Sequence, residues 1–363
     1  MNITDIEIRR QFVPLIKPFK TALRTVITSE SIIVKVMTDT GWHGFGEAPA
    51  TVVITGDSLD SIEGAILHVI RPQLVGKSLS NYEDIFQTLH RCIVGNNSAK
   101  AAVDMAIYDL VAQKAKMPLY QFLGGFRSSM ETDYTVSVNS PQEMGEDAVS
   151  YLQAGFDTLK IKVGKDNIEH DILRIQEIRN RVGNQVKIRL DANQGWGVKE
   201  AIRSIRKMEE MGLAIELVEQ PVKAYDIEGL KMVTDHVDTP IMADEGVFGP
   251  EQAYEVLTKR AADLINIKLM KAGGIYKAQQ INQLAELCGV ECMVGSMIET
   301  RLGITAAAHF AASKKNITRF DFDAPLMLRH DTVKGGVVYE GRFMKLTDAP
   351  GLGITDVLEV EHT

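Results

Sequence analysis

The chain has 363 residues, of which 45% are hydrophobic and 24% charged, enough for one large domain or for two. Its formal net charge of −8 argues against a nucleic-acid reader, since such proteins are usually basic. No apolar run approaches the roughly 20 residues of a membrane span, and the N-terminal residues MNITDIEIRR lack the apolar region of a signal peptide. The three cysteines have no metal-site spacing, so we expect a reduced, cytoplasmic protein.

Residues 1–125 predict an α+β segment. Two strand-like runs come first, ITDIEIRRQFVPL and SIIVKVMTDTGWHGFGEA, and helical stretches follow them. The strongest of these helical stretches is AKAAVDMAIYDLVAQKAK. We expect the segment to lie outside the repeating unit that comes next.

A repeating pattern fills residues 126–328. Short β-branched runs end in polar residues, and amphipathic helical stretches lie between them. The eight runs are ETDYTVSV (131–138), TLKIKV (158–163), VKIRLDAN (186–193), IELVEQP (215–221), PIMADEG (240–246), LINIKLM (264–270), ECMVGSM (291–297) and TRFDFDA (318–324). They lie about 25 to 30 residues apart, the period of one βα unit. The sequence therefore predicts an α/β fold with a (β/α)₈ TIM-type barrel.

Residues 329–363 carry turn signals, KGG and APGLG, between short apolar runs. We expect this segment to return to the N-terminal segment. The two would then form a second, α+β domain beside the barrel.

Three carboxylates are predicted at the ends of consecutive barrel strands: Asp191, Glu219 and Asp244. Active sites of barrel enzymes lie at this end of the strands. Unpaired carboxylates in one place repel each other, and a divalent cation removes that repulsion. All-oxygen ligation favours Mg²⁺ over Mn²⁺, and the absence of histidine from the strand ends argues against zinc. The sequence predicts a magnesium site, although each acid taken alone is as readily explained by a surface ion pair.

Two lysines are predicted on opposite walls of the barrel, because Lys162 ends the second strand and Lys268 the sixth. Such a pair suits a proton transfer in which one base takes a proton from carbon and the other returns it on the opposite face. The metal would stabilise the enolate between the two steps. Lys160 shares a strand face with Lys162 and supplies the neighbouring cation that helps a lysine base to be partly neutral. The alternative is that these lysines only form ion pairs with the acids.

Asp321 and Asp323 end the eighth run and share a strand face. We expect them to lie away from the metal site, where two carboxylates are suited to receive a substrate ammonium group. The alternative is an ion pair with a local cation such as Arg319.

These strand-end residues resemble the enolase superfamily, in its muconate lactonizing enzyme subgroup. The resemblance is carried by KIK (160–162), LDAN (190–193), VEQP (218–221), ADE (243–245) and IKLMKAGG (267–274). Lysine bases used with Mg²⁺ are a known device of this superfamily. Within the subgroup the chain is similar to dipeptide epimerases of the L-Ala-D/L-Glu epimerase type, through DFD (321–323), GSMIET (295–300) and KPFKTALRT (17–25).

The resemblance implies a role for each of these groups. The three metal ligands would bind one Mg²⁺ per subunit, with Asn193 and Glu245 close by, and the ion would hold the dipeptide carboxylate. The opposed lysines would exchange the α-proton of the second amino acid, and Lys160 would tune the first of them. The two acids of DFD would hold the free ammonium group of the first amino acid, and Thr135 and Ser296 would contact the dipeptide backbone.

The N-terminal segment would then be a capping domain, with loops around residues 19–24 and 51–57 that close over the barrel mouth. Which second residue is preferred stays open. Arg24 favours an acidic side chain. Other residues of the expected pocket wall favour a hydrophobic or aromatic one, and they are Ile16, Phe19, Ile54, Met297, Ile298 and the small Gly246.

Other activities of the same subgroup are the main alternatives: N-acylamino acid racemase, o-succinylbenzoate synthase and muconate cycloisomerase. A sugar-acid dehydratase would need a histidine base, and His309 falls in a predicted helix instead. A barrel that binds a metal or ligand without chemistry is the alternative from another class. The expected partner is a small dipeptide, with neither nucleic acid nor membrane, and the choice between monomer and homo-oligomer is open.

Overall fold

In the computed structural model of the protein, which describes residues 1–359, the chain begins with an antiparallel sheet. Its strands lie in chain order, β1 (Ile3–Lys20), β2 (Thr25–Thr38) and β3 (His43–Pro49). β1 and β2 pair along nearly their whole length, with a register irregularity between Pro14 and Phe19. The tip of this hairpin is therefore offset from its base.

Helices follow the sheet, and the longest packs directly on β3. Their bounds are α1 (Leu59–Gly64), α2 (Arg71–Leu74), α3 (Tyr82–Arg91), α4 (Asn97–Lys114) and α5 (Leu119–Phe122), with a π-helical segment at Ala65–Ile70 and a 3₁₀ turn at Leu79–Asn81. α4, predicted as the strongest helix, is buried over residues 98–112, as expected for a helix without a polar face. Gly46 of β3 lies so close to it that a Cβ there would be 1.9 Å from the carbonyl oxygen of Ala102. Sheet and helix thus form one tightly packed unit.

Eight parallel strands form the second sheet, in sequential order. They are β5 (Tyr134–Val136), β6 (Thr158–Lys162), β7 (Lys187–Asp191), β8 (Ile215–Glu219), β9 (Ile241–Ala243), β10 (Leu264–Ile267), β11 (Glu291–Val294) and β12 (Ile317–Phe320). Next to the two end strands, the N–H of Asp133 donates to the carbonyl oxygen of Phe320 at 3.4 Å, which brings β5 and β12 together. The predicted (β/α)₈ barrel is confirmed.

Helices connect the barrel strands. They are α6 (Pro141–Gln153), α7 (Ile168–Val182), α8 (Val198–Glu210), α9 (Ile227–Thr234), α10 (Pro250–Lys259), α11 (Leu269–Ala272), α12 (Ile275–Leu287) and α13 (Arg301–Ala312), and a 3₁₀ turn at Ala324–Met327 follows the last strand. His309 lies buried in α13, where its Nδ1 accepts a hydrogen bond from the backbone N–H of Tyr120 at 2.9 Å. No helix between residues 1 and 359 has the length and apolar character needed to cross a bilayer.

The barrel strands are shorter than the predicted runs. β9 has three residues, and Asp244 and Lys268 come immediately after their strands. The first run was expected to begin at Glu131, but this residue ends β4 (Ser129–Glu131). β4 pairs instead with a strand near the C-terminus, a contact that local sequence does not encode.

The C-terminal residues contact both parts of the molecule. Their strands are β13 (Val333–Gly335), β14 (Val338–Glu340), β15 (Phe343–Lys345) and β16 (Ile354–Val357); β13 pairs with β16, and β14 and β15 form a sheet with β4. The N–H of Leu119 donates to the carbonyl oxygen of Gly351 at 2.8 Å, and Arg9 Nη2 donates to that of Leu358 at 3.0 Å. These contacts agree with a return to the N-terminal segment, while the division at 125 and 328 stays a prediction.

Candidate active site

The predicted metal ligands lie side by side at the carboxyl ends of the barrel strands. Strand register places Lys162 opposite Asp191, and Asp191 opposite Glu219. Asp244 follows the next strand, and all three acids are buried. The closely aligned strand ends therefore bring these carboxylates to one place, as the sequence predicts.

Ammonium groups join the three acids. Lys162 Nζ lies 2.6 Å from Asp191 Oδ2, and Lys268 Nζ lies 2.7 Å from Asp244 Oδ2. Lys160 Nζ lies 2.7 Å from Glu219 Oε2 and 3.2 Å from Asp191 Oδ2. The ion pairs that were the alternative reading of the lysines are thus present in the structure. They do not exclude a chemical role, because both lysines also reach the cavity described below.

The electrostatics of the cluster divide its acids into two kinds. Burial raises the pKa of Glu219 to about 8 and that of Glu245 to about 7, and the nearby negative acids add to the effect. Burial opposes ionisation of Asp191 and Asp244 too, but lysine charges outweigh it. Lys162 and Lys160 lower the pKa of Asp191 to about 2, and Lys268 lowers that of Asp244 below its ordinary range. Two acids are thus strongly ionised beside two that bind protons readily.

Mg²⁺ is the cation that this donor set fits. No three or more Asp, Glu, His or Cys side chains within residues 1–359 are arranged as a finished metal shell, because the lysines hold the carboxylates. Buried acceptor oxygens are nevertheless available, since Asn193 Oδ1 and Glu245 Oε2 have no hydrogen-bond partner. When one of the two opposed lysines is neutral, as a base must be, the acids carry excess negative charge that a divalent cation would balance. The oxygen donors suit a hard ion.

A cavity at the barrel mouth collects the remaining predicted residues. It is lined by Phe19, Thr21, Leu23, Arg24, Ile54, Thr135, Lys160, Lys162, Asn193, Lys268, Ser296, Met297, Ile298, Asp321, Asp323, Ala324 and Met327. Lys162 and Lys268 reach it from β6 and from the end of β10, strands that lie four apart in the sheet of eight. The N-terminal loops contribute as expected, and the Phe19 ring centroid lies 5.7 Å from Lys162 Nζ. The metal-site acids lie behind the lysines.

Lys160 and Lys268 are held in their charged forms. Burial lowers the pKa of Lys160, but Asp321, Glu219 and Asp191 raise it well above its ordinary value. Burial also lowers the pKa of Lys268, but the negative charges of Asp244 and Glu219 outweigh burial and raise this pKa above its ordinary value. Lys160 is thus a fixed cation beside Lys162, as the sequence predicts.

Asp321 and Asp323 lie closer to the other acids than expected. Asp321 Oδ2 is 2.7 Å from Lys160 Nζ, so a single lysine joins it to Glu219. Asp323 Oδ2 accepts a hydrogen bond from the backbone N–H of Thr135 at 2.6 Å. Burial and the neighbouring Asp321 raise the pKa of Asp323 to about 7.

Arg319 is not the partner of this pair of acids. Its guanidinium instead contacts Glu216 at 3.1 Å and Glu291 at 2.8 Å. Lys160 instead supplies the cation that the alternative reading required, but to Asp321 alone. Among residues 1–359, no side-chain cation pairs with Asp323, which lines the cavity.

The residues expected to set side-chain preference separate into two groups. Arg24 lines the cavity, and among residues 1–359 its guanidinium has neither a hydrogen bond nor an ion pair; burial lowers its pKa. Ile298 lies in a small apolar cluster with Phe19 beside it. Ile16 is 56% exposed and faces a neighbouring groove instead. A Cβ on Gly246 would meet Gln220 and Ile227, so this glycine does not enlarge the cavity, contrary to expectation.

Two supporting residues were missed from the sequence. Lys271 is fully buried, with Nζ 2.6 Å from Asp244 Oδ1 and within hydrogen-bond distance of the carbonyl oxygens of Asp244, Val247 and Asn266. Asn266 Nδ2 donates to Glu219 Oε1 at 2.8 Å. A signal for each was present: Asn266 shares the strand face of Lys268, and Lys271 is the second lysine of a stretch, IKLMKAGG, that is otherwise uncharged.

Comparisons with known proteins identify the family of the chain. Residues 143–357 match the family "Enolase C-terminal domain-like", and residues 3–124 match "Mandelate racemase / muconate lactonizing enzyme, N-terminal domain". The chain is 67% identical to the L-Ala-D/L-Glu epimerase of Bacillus subtilis (strain 168), over 98% of this chain and 97% of that relative.

Solved structures show the same likeness. A substrate-liganded complex of the L-Ala-D/L-Glu epimerase from Bacillus subtilis has a TM-score of 0.98 at 66% identity, over 98% of this chain and 99% of that one. The dipeptide epimerase from Enterococcus faecalis V583, complexed with Mg and the dipeptide L-Leu-L-Tyr, has a TM-score of 0.95 at 45% identity, over 98% and 100% of the two chains. The chain belongs to the enolase superfamily, in its mandelate racemase and muconate lactonizing enzyme branch.

Proposed function

We propose that this protein is a Mg²⁺-dependent dipeptide epimerase that inverts the α-carbon of the second residue. The observation that carries the proposal is that Lys162 and Lys268 reach one cavity from strands four apart, with buried acids beneath them. The relatives named above, which are epimerases of dipeptides, support the same reaction class.

The opposed lysines would carry out the proton transfer. One takes the α-proton of the second residue, and the other delivers a proton to the opposite face. Bound to Asp191, Glu219 and Asp244, Mg²⁺ would hold the dipeptide carboxylate and stabilise the negative charge that develops on it. Phe19 lies over Lys162 and helps to exclude water from the site.

The acids of the eighth strand would bind the other end of the substrate. Asp321 and Asp323 face the cavity and would receive the free ammonium group of the first residue. Thr135 and Ser296 line the same cavity and would contact the dipeptide backbone. None of the subgroup alternatives needs two acids here, because their substrates lack this ammonium group.

An acidic second residue is the preference that we favour. Arg24 brings an unpaired guanidinium to the cavity, and a buried cation is stabilised by a substrate carboxylate. The Bacillus subtilis relative is an L-Ala-D/L-Glu epimerase. The second candidate is a hydrophobic residue, favoured by the apolar lining of Ile54, Met297 and Ile298 and by the relative solved with L-Leu-L-Tyr.

Solvent exchange tests the reaction. We expect incubation with L-Ala-L-Glu and Mg²⁺ in D₂O to add one deuteron and to produce the second diastereomer. Lys268→Ala should slow epimerisation at least about a hundredfold, since a positioned base typically contributes that much, while Lys162 still exchanges the proton of one epimer. A lack of deuterium uptake with a whole dipeptide library would instead support a binding protein without chemistry.

Two variants test the ends of the substrate. Arg24→Met should raise the KM for L-Ala-L-Glu about 10- to 100-fold, as expected for losing a charged hydrogen bond, and should leave any turnover of L-Leu-L-Tyr little changed. The double variant Asp321→Asn, Asp323→Asn should fold and bind Mg²⁺ yet lose dipeptide turnover. Wild-type rates in the double variant would rule out the ammonium-binding role.

Three further features stay predictions. They are one Mg²⁺ per subunit, a cytoplasmic location, and the choice between monomer and homo-oligomer.

A further inference from the structure

Two buried acids of the N-terminal segment accept hydrogen bonds from backbone N–H groups of the barrel, beside contacts with Ser31 and His90 of their own segment. The first is Glu47 of β3, whose carboxylate lies at the start of α13. It accepts hydrogen bonds from the backbone N–H of Thr300 at 3.0 Å, from Thr300 Oγ1 at 2.6 Å and from the N–H of Gly303 at 2.9 Å. N–H groups at the N-terminus of a barrel helix are thus bonded to a side chain 253 residues away in sequence.

The second acid, Asp104 of α4, makes the same kind of contact with α12. Its Oδ1 accepts from the N–H of Ile275 at 2.6 Å, and its Oδ2 accepts from that of Tyr276 at 3.3 Å. Gly274 makes the approach possible, because a Cβ there would lie 2.3 Å from Asp104 Cγ. N-terminal N–H groups of two consecutive helices are therefore bonded to carboxylates outside the barrel, and Thr300 also caps α13 from within it.

Each capped helix follows a loop that carries cavity residues. Between β11 and α13 lie residues 295–300, which include Ser296 and Ile298. Between β10 and α12 lie residues 268–274, a connection that begins with Lys268 and contains the single-turn helix α11. A third tie strengthens the first loop, since Ser29 Oγ donates to the carbonyl oxygen of Ile298 at 2.8 Å.

The two acids belong to one stiff unit. Cβ atoms on Gly44 and Gly46 would lie 2.1 Å and 1.9 Å from the carbonyl oxygens of Ala106 and Ala102, so β3 and α4 touch backbone to backbone. A unit packed this closely moves as one body. The distance between the two capping carboxylates is therefore fixed within the N-terminal segment.

We propose that Glu47 and Asp104 are positioning residues that set the two catalytic loops relative to each other. Glu47 holds the loop that contacts substrate, and Asp104 holds the loop that presents Lys268. The inference rests on the proposed epimerase function for its kinetic part only. The loop order itself depends on the hydrogen bonds described above, and these are measurable without any substrate.

The experiment uses the full chain with Glu47→Ala, Asp104→Ala and the conservative variants Glu47→Gln and Asp104→Asn, which keep an acceptor oxygen. The matched control is Asp109→Ala. Asp109 is buried in the same helix and accepts from two backbone N–H groups, those of Leu352 and Phe45, neither of which lies in a catalytic loop. Hydrogen exchange and the kinetics with L-Ala-L-Glu are measured for each variant.

We expect Glu47→Ala to speed amide exchange in residues 295–303 at least tenfold and to raise KM more than it lowers kcat. Asp104→Ala should speed amide exchange in residues 268–276 at least tenfold and should lower kcat more than it raises KM. The Gln and Asn variants should recover most of each effect. Asp109→Ala should lower the melting temperature and leave the exchange of both loops unchanged.

A loss of stability in Glu47→Ala and Asp104→Ala with unchanged amide exchange in the two loops would overturn the proposal. So would amide exchange in these loops that is as fast in the Asp109→Ala control as in those two variants. If an alanine variant does not fold, the matching Gln or Asn variant, whose acceptor is uncharged and weaker, should still speed amide exchange in the same loop by a smaller factor, and unchanged exchange there would overturn the proposal. If the wild-type protein turns over no dipeptide, the proposed function fails, and the exchange measurements still test the positioning role.

Discussion

Lys271 shows how the site depends on residues that never meet the substrate. Its ammonium group holds Asp244 Oδ1 together with carbonyl oxygens from two successive strand ends. Asp244 Oδ2 is left for Lys268. The orientation of one candidate metal ligand is therefore fixed from behind by a buried lysine.

Replacing Lys271 with Met should be strongly destabilising, because it removes one of the two ammonium groups that balance Asp244 and leaves Asp244 Oδ1 and three buried carbonyl oxygens without their donor. Breaking a buried ion pair in this way typically costs about 3–5 kcal/mol. Urea unfolding measures the change. Lys259→Met is the matched control, since Lys259 pairs with Glu228 and Glu255 at the surface and should change stability little. Equal unfolding midpoints for the two variants would contradict the expectation.

Asp323 should give the reaction a pH dependence. Its pKa is raised to about 7 by burial and by Asp321, so below pH 7 the carboxyl is protonated and loses the charge that attracts an ammonium group. We expect kcat/KM for a dipeptide to rise about tenfold per pH unit up to pH 7 and to fall above about pH 8, where a free α-amino group loses its proton. Asp323→Asn should remove the acidic limb. A flat wild-type profile between pH 5 and 7 would contradict this role.

Among the elements, α4 and β3 show that an alanine-rich helix also allows a neighbouring strand to pack very closely. The pattern of AKAAVDMAIYDLVAQKAK predicts the helix, and its small residues let the strand approach until the backbones touch. This close approach also depends on the glycines of β3, so it cannot be predicted from the sequence of the helix alone.

Gly46→Ala should therefore destabilise the protein by about 1–3 kcal/mol, the usual cost of overpacking a core. The added methyl group would lie 1.9 Å from a backbone oxygen that cannot move aside independently. Gly64→Ala in α1 is the control, because a Cβ there meets nothing within 4 Å and alanine favours a helix. Thermal unfolding of the two variants compares them, and a loss in Gly64→Ala as large as in Gly46→Ala would argue against the packing explanation.

At the scale of the whole molecule, the barrel was predictable because each of its strands carries a local signal. A β-branched run that ends in a polar residue is visible in the sequence, and strand register brings Lys162, Asp191 and Glu219 together without further information. Contacts made by closure of the fold were not predictable. The pairing of β4 with β15 and the approach of Asp321 to Lys160 join residues more than 150 positions apart.

Mg²⁺ should stabilise the whole molecule if the strand-end acids bind it. Binding to the folded state alone contributes about 2.7 kcal/mol at a hundred times the dissociation constant. We expect the melting temperature to rise with Mg²⁺ concentration. In Asp191→Asn and Glu219→Gln variants the rise should be lost. An equal rise in wild type and variants would place the ion elsewhere.

The position of Lys160 between Asp321 and Glu219 has a consequence for how a substrate is checked. The ammonium group of a dipeptide bound as proposed would compete with Lys160 for Asp321. Lys160 would then keep Glu219 and Asp191 as its partners. The positive charge of Lys160 would then be shared only among the acids beside Lys162. An N-acylated amino acid has no ammonium group to compete for Asp321, so Lys160 would keep all three acids as partners. If the substrate binds as proposed, its end that does not react would therefore alter the charges around Lys162.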